Sequence, residues 1–241
     1  MCGRYATTRS ATDLSALFEA SDETGDGLAA DYNVAPTRAV PIVRGSGSAG
    51  TRVLSTARWG FVPPWAKDPS VGARMINARG ETVAATRSYA PSFASRRCLV
   101  PADGWYEWVR RSPRERQPYY MTRSDGAGLA FAGLWTVWGE DKLLTCTIVT
   151  TAAVGELATV HDRMPLMLPP ERWRDWLDAD AATASALLGP PPAGYLDAVE
   201  IRPVGAAVGN VRNKGPQLIE RVPAAPLHAP AERPQDLTLF D

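Results

Sequence analysis

Apolar and β-branched positions recur along this chain in short runs, and most of the runs favour strands. AVPIV (39–43), VLSTARWGFV (53–62), YYMT (119–122), LAFAGLWTVW (129–138), LLTCTIVTT (143–151) and AVEIRPV (198–204) are rich in Val, Ile, Thr and aromatic residues. RCLVPADGWYEW (97–108) predicts two strands joined by a turn at Ala102-Asp103-Gly104. GSGSAG (45–50) predicts a hairpin tip, 23–30 a polar loop, and YNVAPT (32–37) a proline turn. Helical patterning is scarcer. Helices are predicted from Thr12, as N-cap, to Ala20, and over 78–86, 171–178 and 181–188. There is no internal repeat, and the helices do not alternate with strands as βαβ units. The pattern predicts an α+β fold: a single compact domain with a largely antiparallel, barrel-like sheet and peripheral helices. That domain is expected over 1–222. PAAPLHAPAERPQ then opens a flexible Pro- and Ala-rich tail over 223–241, which ends in DLTLFD.

Composition changes this picture little. The 241 residues are 45% hydrophobic and carry a formal net charge of zero, so no overall field draws the protein onto a polyanion. Local patches remain open, because Lys stands at Lys67, Lys142 and Lys214 alone and every other cation is Arg. Arginine suits bidentate phosphate contacts better than lysine does. The cysteines, Cys2, Cys98 and Cys146, are odd in number and lack a C-x-x-C spacing. With His161 and His228 the sole histidines, neither a disulfide framework, a metal site nor a cofactor is expected. No signal peptide or spanning run is visible, so a cytoplasmic, reducing setting is expected.

The candidate chemistry begins at MCGRY. A small second residue permits removal of Met1, which would leave Cys2 with a free α-amine beside its thiol. Such an amine is partly unprotonated at neutral pH and can form an imine with an aldehyde. The thiol can then close a thiazolidine ring with the advantage of an intramolecular neighbour. An incidental cysteine at a frayed end is the plainer alternative. NARGE (77–81) sets Asn77, Arg79 and Glu81 within a turn and a half of a predicted helix, for substrate orientation and phosphate binding or as an ordinary capped surface helix. In PADGWYEW (101–108), Glu107 lies among aromatic residues, where poor solvation would raise its pKa, unless it faces water at an edge. His161, in VHDRMP (160–165), is a proton shuttle near neutral pH or a structural histidine. WGFVPPW (59–65) is either core or a stiff aromatic wedge against a nucleobase.

Together these motifs resemble one family. MCGRY, N-x-x-P-T from Asn33, WGFVPPW, NARGET, RRCLVPADGWYEW, HDRMP and the late V-x-N-x-x-N at Val208, Asn210 and Asn213 occur in that order, over residues 1 to about 219. The chain is similar to SRAP proteins, SOS-response-associated proteins that shield abasic sites in single-stranded DNA. The resemblance implies a positively charged groove leading to the new N-terminus and covalent capture of the abasic aldehyde by Cys2, with Asn77, Glu107 and His161 as companion catalytic residues. It implies that Arg79 holds the DNA backbone, helped by Arg4 and Arg87, and that Trp59 and Trp65 form the aromatic wedge. Associated AP-lyase activity and self-reversal of the crosslink are implied as well. Residues 84–93, AATRSYAPSF, depart from the family's usual continuation, which weakens the assignment of Arg87.

Two other classes compete: an N-terminal-nucleophile cysteine amidase or peptidase, and a non-catalytic single-strand binder. The expected partner is single-stranded DNA with abasic sites; the protein is expected to be a monomer, nucleoid-associated and away from membranes. DLTLF, preceded by Gln235, resembles the bacterial sliding-clamp ligand, with Leu237, Leu239 and Phe240 as the apolar anchors. A segment that packs back on its own domain is the alternative.

Overall fold

A computed structural model describes residues 2–46, 50–112 and 115–223. Thirteen strands carry the chain among these residues: β1 (Tyr5–Thr7), β2 (Ala20–Asp22), β3 (Asp31–Val34), β4 (Ala39–Gly45), β5 (Arg52–Trp59), β6 (Asn77–Arg79), β7 (Arg97–Ala102), β8 (Gly104–Arg110), β9 (Arg116–Arg123), β10 (Leu129–Trp138), β11 (Leu143–Ala152), β12 (Arg163–Pro165) and β13 (Val199–Pro203). The helices are short: α1 (Ala11–Phe18), α2 (Gly80–Val83), α3 (Ala90–Ser95), α4 (Trp173–Asp178), α5 (Ala181–Ser185) and α6 (Ala193–Leu196). None is long and apolar enough to cross a membrane.

Strands β11, β10, β7, β4 and β5 pair in that order, and β5 returns to β11 through a parallel pairing at Thr145↔Arg58 and Cys146↔Trp59. The result is a closed five-stranded barrel, antiparallel except at its seam. Closure leaves those five strands without an open edge. β2 and β12 extend the barrel sheet, and β6 joins β11 in parallel. A second sheet, in the order β13-β9-β8-β1-β3, is antiparallel throughout. Tyr5, Trp59, Trp105 and Phe131 meet edge-to-face between the two sheets, with ring centroids 5.1 to 6.2 Å apart. The helices pack outside the barrel, where Phe18 lies 4.5 Å from Trp173 and Phe93 lies 6.0 Å from Trp176. Buried Arg97 bridges that layer by donating to the carbonyls of Phe93, Trp176 and Ala179. These are acceptors that short helices leave unpaired at their C-terminal ends.

The α+β barrel expected from the pattern is present, and the long strands fall where predicted. Three local expectations are corrected. The first helix is capped by Ser10 rather than Thr12: Ser10 Oγ accepts from Asp13 N at 3.1 Å, and Asp13 answers through a capping box. Residues 78–86 are not one helix, because Asn77–Arg79 form β6 and α2 begins at Gly80. Residues 171–178 open as a 3₁₀ turn before α4. Residues 47–49 at the β4–β5 hairpin tip, and 224–241 with the DLTLF motif, lie outside the described residues.

Candidate active site

Strand pairing assembles the site around the second residue of the chain. β1 runs antiparallel to β8 with Tyr5 opposite Trp105 and Ala6 opposite Gly104. Tyr106 N donates to Arg4 O at 2.9 Å, so the same register carries on toward the N-terminus and sets Gly3 opposite Glu107. From the other sheet, β6 pairs with β11 at Asn77↔Ile148, and Asn77 Nδ2 donates to the Cys2 carbonyl at 2.8 Å. That contact fixes the amide orientation, since a carbonyl needs a donor. Asn77 Oδ1 is then a buried acceptor with no partner among the described residues.

Cys2 is fully buried in the main core. Burial raises the pKa of its thiol strongly, and the nearby charge of Glu107 raises it further, against the Arg4 backbone N–H. The sulfur is therefore held as a thiol at neutral pH. Glu107 is 5% exposed, and burial lifts its carboxyl from 4.5 to about 7, against the N-terminal amine, which lowers it, and with a smaller upward push from Asp162. A carboxyl at that value both gives and takes protons near neutral pH.

His161 stands just before β12. Its Nδ1 accepts from Arg163 N at 2.9 Å and lies 2.7 Å from Asp162 Oδ1. The first contact needs a bare Nδ1 and the second a protonated one. Asp162 is 85% exposed and screened by water, whereas the backbone contact is fixed by the turn, so the backbone sets the tautomer. The neutral ring then carries its proton on Nε2. Burial, the largest influence, lowers the ring's pKa, with Asp162 opposing.

Arg163 was not singled out from the sequence. It pairs with Glu81 at 2.5 and 2.9 Å and donates to Thr150 O at 2.6 Å, tying β12 to the start of α2 and to β11. It thereby joins the His161 turn to the Asn77–Arg79 segment. Its place inside HDRMP, directly after the histidine turn, was the available signal.

The predicted DNA-contacting residues divide. Arg79 is exposed at the end of β6. Trp65 is 60% exposed, and the exposed Arg87 guanidinium lies 5.9 Å from its ring centre. Arg87 and Trp65 form an exposed cationic and aromatic pair, and Arg79 is a third exposed candidate. Trp59 does not belong with them. It is completely buried, with Nε1 donating to Ile76 O at 3.0 Å, so it cannot stack on a base without unfolding the seam. Gly60 makes the turn between the two tryptophans: its φ is +137°, and a Cβ there would stand 2.6 Å from Gly72 O. Arg4 is likewise mainly a strut. Its Nη1 donates to Asn33 Oδ1 at 2.6 Å and to Val208 O at 3.1 Å. Asn33 Nδ2 in turn faces the carbonyls of Val208, Asn210 and Asn213 at 3.1 to 3.3 Å. The late V-x-N-x-x-N motif thus anchors the segment that carries Cys2.

A family model described as SOS response associated peptidase (SRAP) matches residues 1–211. Abasic site processing protein YoqW of Bacillus subtilis (strain 168) is 36% identical over 227 residues, which cover 91% of this chain and 99% of the relative. Abasic site processing protein YedK of Escherichia coli (strain K12) is 34% identical over 239 residues, covering 92% and 100%. A crystal structure of a protein from Bacteroides thetaiotaomicron superposes with a TM-score of 0.79 at 21% identity, covering 92% of this chain and all of the other, a likeness of fold.

Proposed function

The chain belongs to the SOS response associated peptidase (SRAP) family, and from that premise we propose that it captures abasic sites in single-stranded DNA as a covalent thiazolidine on Cys2. Its relatives are named abasic site processing proteins, which supports an abasic lesion as the substrate. The observation that carries the reading is the convergence of Asn77 and Glu107, from two different sheets, on Cys2.

The chemistry follows from the state of each group. Once Met1 is removed, the Cys2 amine attacks the C1′ aldehyde of the opened sugar and forms a carbinolamine. Glu107 takes a proton from the attacking nitrogen and returns one to the departing hydroxyl, so that water leaves and an imine forms. A carboxyl poised at about 7 suits both steps. The thiol then adds across the C=N bond: sulfur bonds to carbon, and its proton passes to nitrogen. The sum is aldehyde plus aminothiol giving thiazolidine plus water. Because burial keeps the sulfur protonated, the amine reacts first and the thiol second. His161, neutral with a proton on Nε2, assists sugar-ring opening. Asn77 Oδ1 receives a hydroxyl or amine hydrogen. Closing the ring removes the imine, which suppresses β-elimination of the strand.

Intact mass of the purified protein, alone and after incubation with an oligonucleotide bearing one abasic site, tests this. Loss of Met1 with a heat-stable adduct formed without borohydride is expected. Loss of Met1 with no adduct would overturn the reading in favour of an amidase. The tail carries a separate proposal, a tether to the replication clamp through Leu237, Leu239 and Phe240. Absence of calorimetric binding between a peptide of residues 230–241 and the clamp would end it.

A further inference from the structure

The hairpin between β8 and β9 reads VRRSPRERQ over 109–117, four arginines against one glutamate in a chain whose net charge is zero. The fold does not explain this concentration. Arg110 and Arg116 stand directly opposite each other across the two strands. Both are exposed, and neither has an ion pair among the described residues. Like charges in that position destabilise a sheet. Beside them, Arg111 donates to Tyr119 Oη at 2.5 Å and lies 6.0 Å from that ring's centre. Tyr119 is the cross-strand partner of Glu107.

The position of the cluster gives it a direction. β8 carries Glu107, and Arg110 follows three residues later, about 10 Å along the strand. Alternation sets Tyr106, Trp108 and Arg110 on one face of β8, with Arg4 lying 5.9 Å from the centre of the half-exposed Trp108 ring. Half-exposed Trp108 and exposed Arg110 therefore share the face of β8 opposite Glu107, with the partly exposed Arg4 guanidinium beside Trp108. We propose that the Arg110–Arg116 pair is a second phosphate-binding surface, which holds the DNA backbone on one flank of the lesion at a point separate from Arg79. The inference rests on the reading of the substrate given above. Arginine forks match phosphate oxygens, and a phosphate between Arg110 and Arg116 removes the repulsion that the fold leaves in place.

The test compares the Met1-processed full chain with its Arg110→Gln/Arg116→Gln double variant. Two probes serve for binding and capture: a long single-stranded oligonucleotide, with and without one abasic site, and an abasic trinucleotide too short to reach Arg110 and Arg116. With the long probes the variant should need more DNA for half-saturation. Its log K against log salt should flatten by about 0.7, the loss of one single-strand phosphate contact. The capture rate at saturation, capture of the trinucleotide, and heat stability should not fall. Wild-type half-saturation and slope in the variant would overturn the proposal, as would a loss that the trinucleotide shares equally. If the wild type forms no adduct, the capture chemistry fails, and lesion-free binding still decides the hairpin.

Discussion

Trp59 and Trp65 belong to one heptapeptide, WGFVPPW, and have opposite surroundings. The first is sealed in the barrel seam at 0% exposure; the second is 60% exposed beside Arg87. The same division separates the floor of the candidate site, buried Cys2 and Glu107 with half-buried Asn77, from the exposed residues proposed as its rim, Arg79, Arg87 and Trp65. In the floor, low solvation shifts proton affinities and so governs the chemical steps. On the proposed rim, charges are screened, so under the function proposed above their part is to gather DNA, and salt weakens it. Floor substitutions should therefore change rates and pH profiles. Rim substitutions should change affinity and leave the saturated rate alone.

The largest expected effect is at Cys2. Cys2→Ala should abolish the adduct seen by intact mass, and Cys2→Ser should leave an imine that only borohydride makes permanent. Next comes the seam: Trp59→Ala should cost about 3–5 kcal/mol of folding stability in denaturant melts, with DNA binding lost only through unfolding. Glu107→Gln should slow capture by about 10²-fold at neutral pH, followed as adduct per unit time. It should also sharpen the comparison through stability. A carboxyl raised from 4.5 to about 7 stabilises the folded state fully below 4.5, and that contribution is lost as pH rises through 7. The shift corresponds to roughly 3 kcal/mol, so the variant should gain on the wild type by up to that amount between pH 5 and pH 8. Trp65→Ala should weaken single-strand affinity by about 1–3 kcal/mol, the worth of one stacked base, without shifting the melt. Smallest is Arg79→Ala, which should flatten the salt dependence by about 0.7 and spare the saturated rate. A changed saturated rate in either rim variant would break the division.

What the sequence made legible follows the same physical line. β10 and β11 were readable because each is a ten-residue run, half or more of it β-branched or aromatic, which outweighs any local alternative. β1, β6 and β12, of three residues each, hold their shape through partners distant in sequence, which local propensity does not encode. NARGE looked helical because Glu81, Thr82 and Val83 do enter a helix, while Asn77 to Arg79 answer to β11 instead. The buried carboxyl at Glu107 was legible from its aromatic neighbours. The grip of Asn77 on the Cys2 carbonyl was not, because it joins residues 75 apart. The resemblance implied DNA contacts for Trp59 and Arg4; the first is sealed in the core, and the second is held by Asn33 and Val208.

The convergence of Asn77 and Glu107 on Cys2 also has a meaning in time. A ribosome adds roughly 5–20 residues each second, so residue 2 is made about five to twenty seconds before residue 107 exists. Throughout that interval the reactive residue lacks its enclosure, and any aldehyde or oxidant in the cell can meet it. The first functional side chain to be synthesised is the last to be sheltered, which makes the nascent chain the most vulnerable form of the protein.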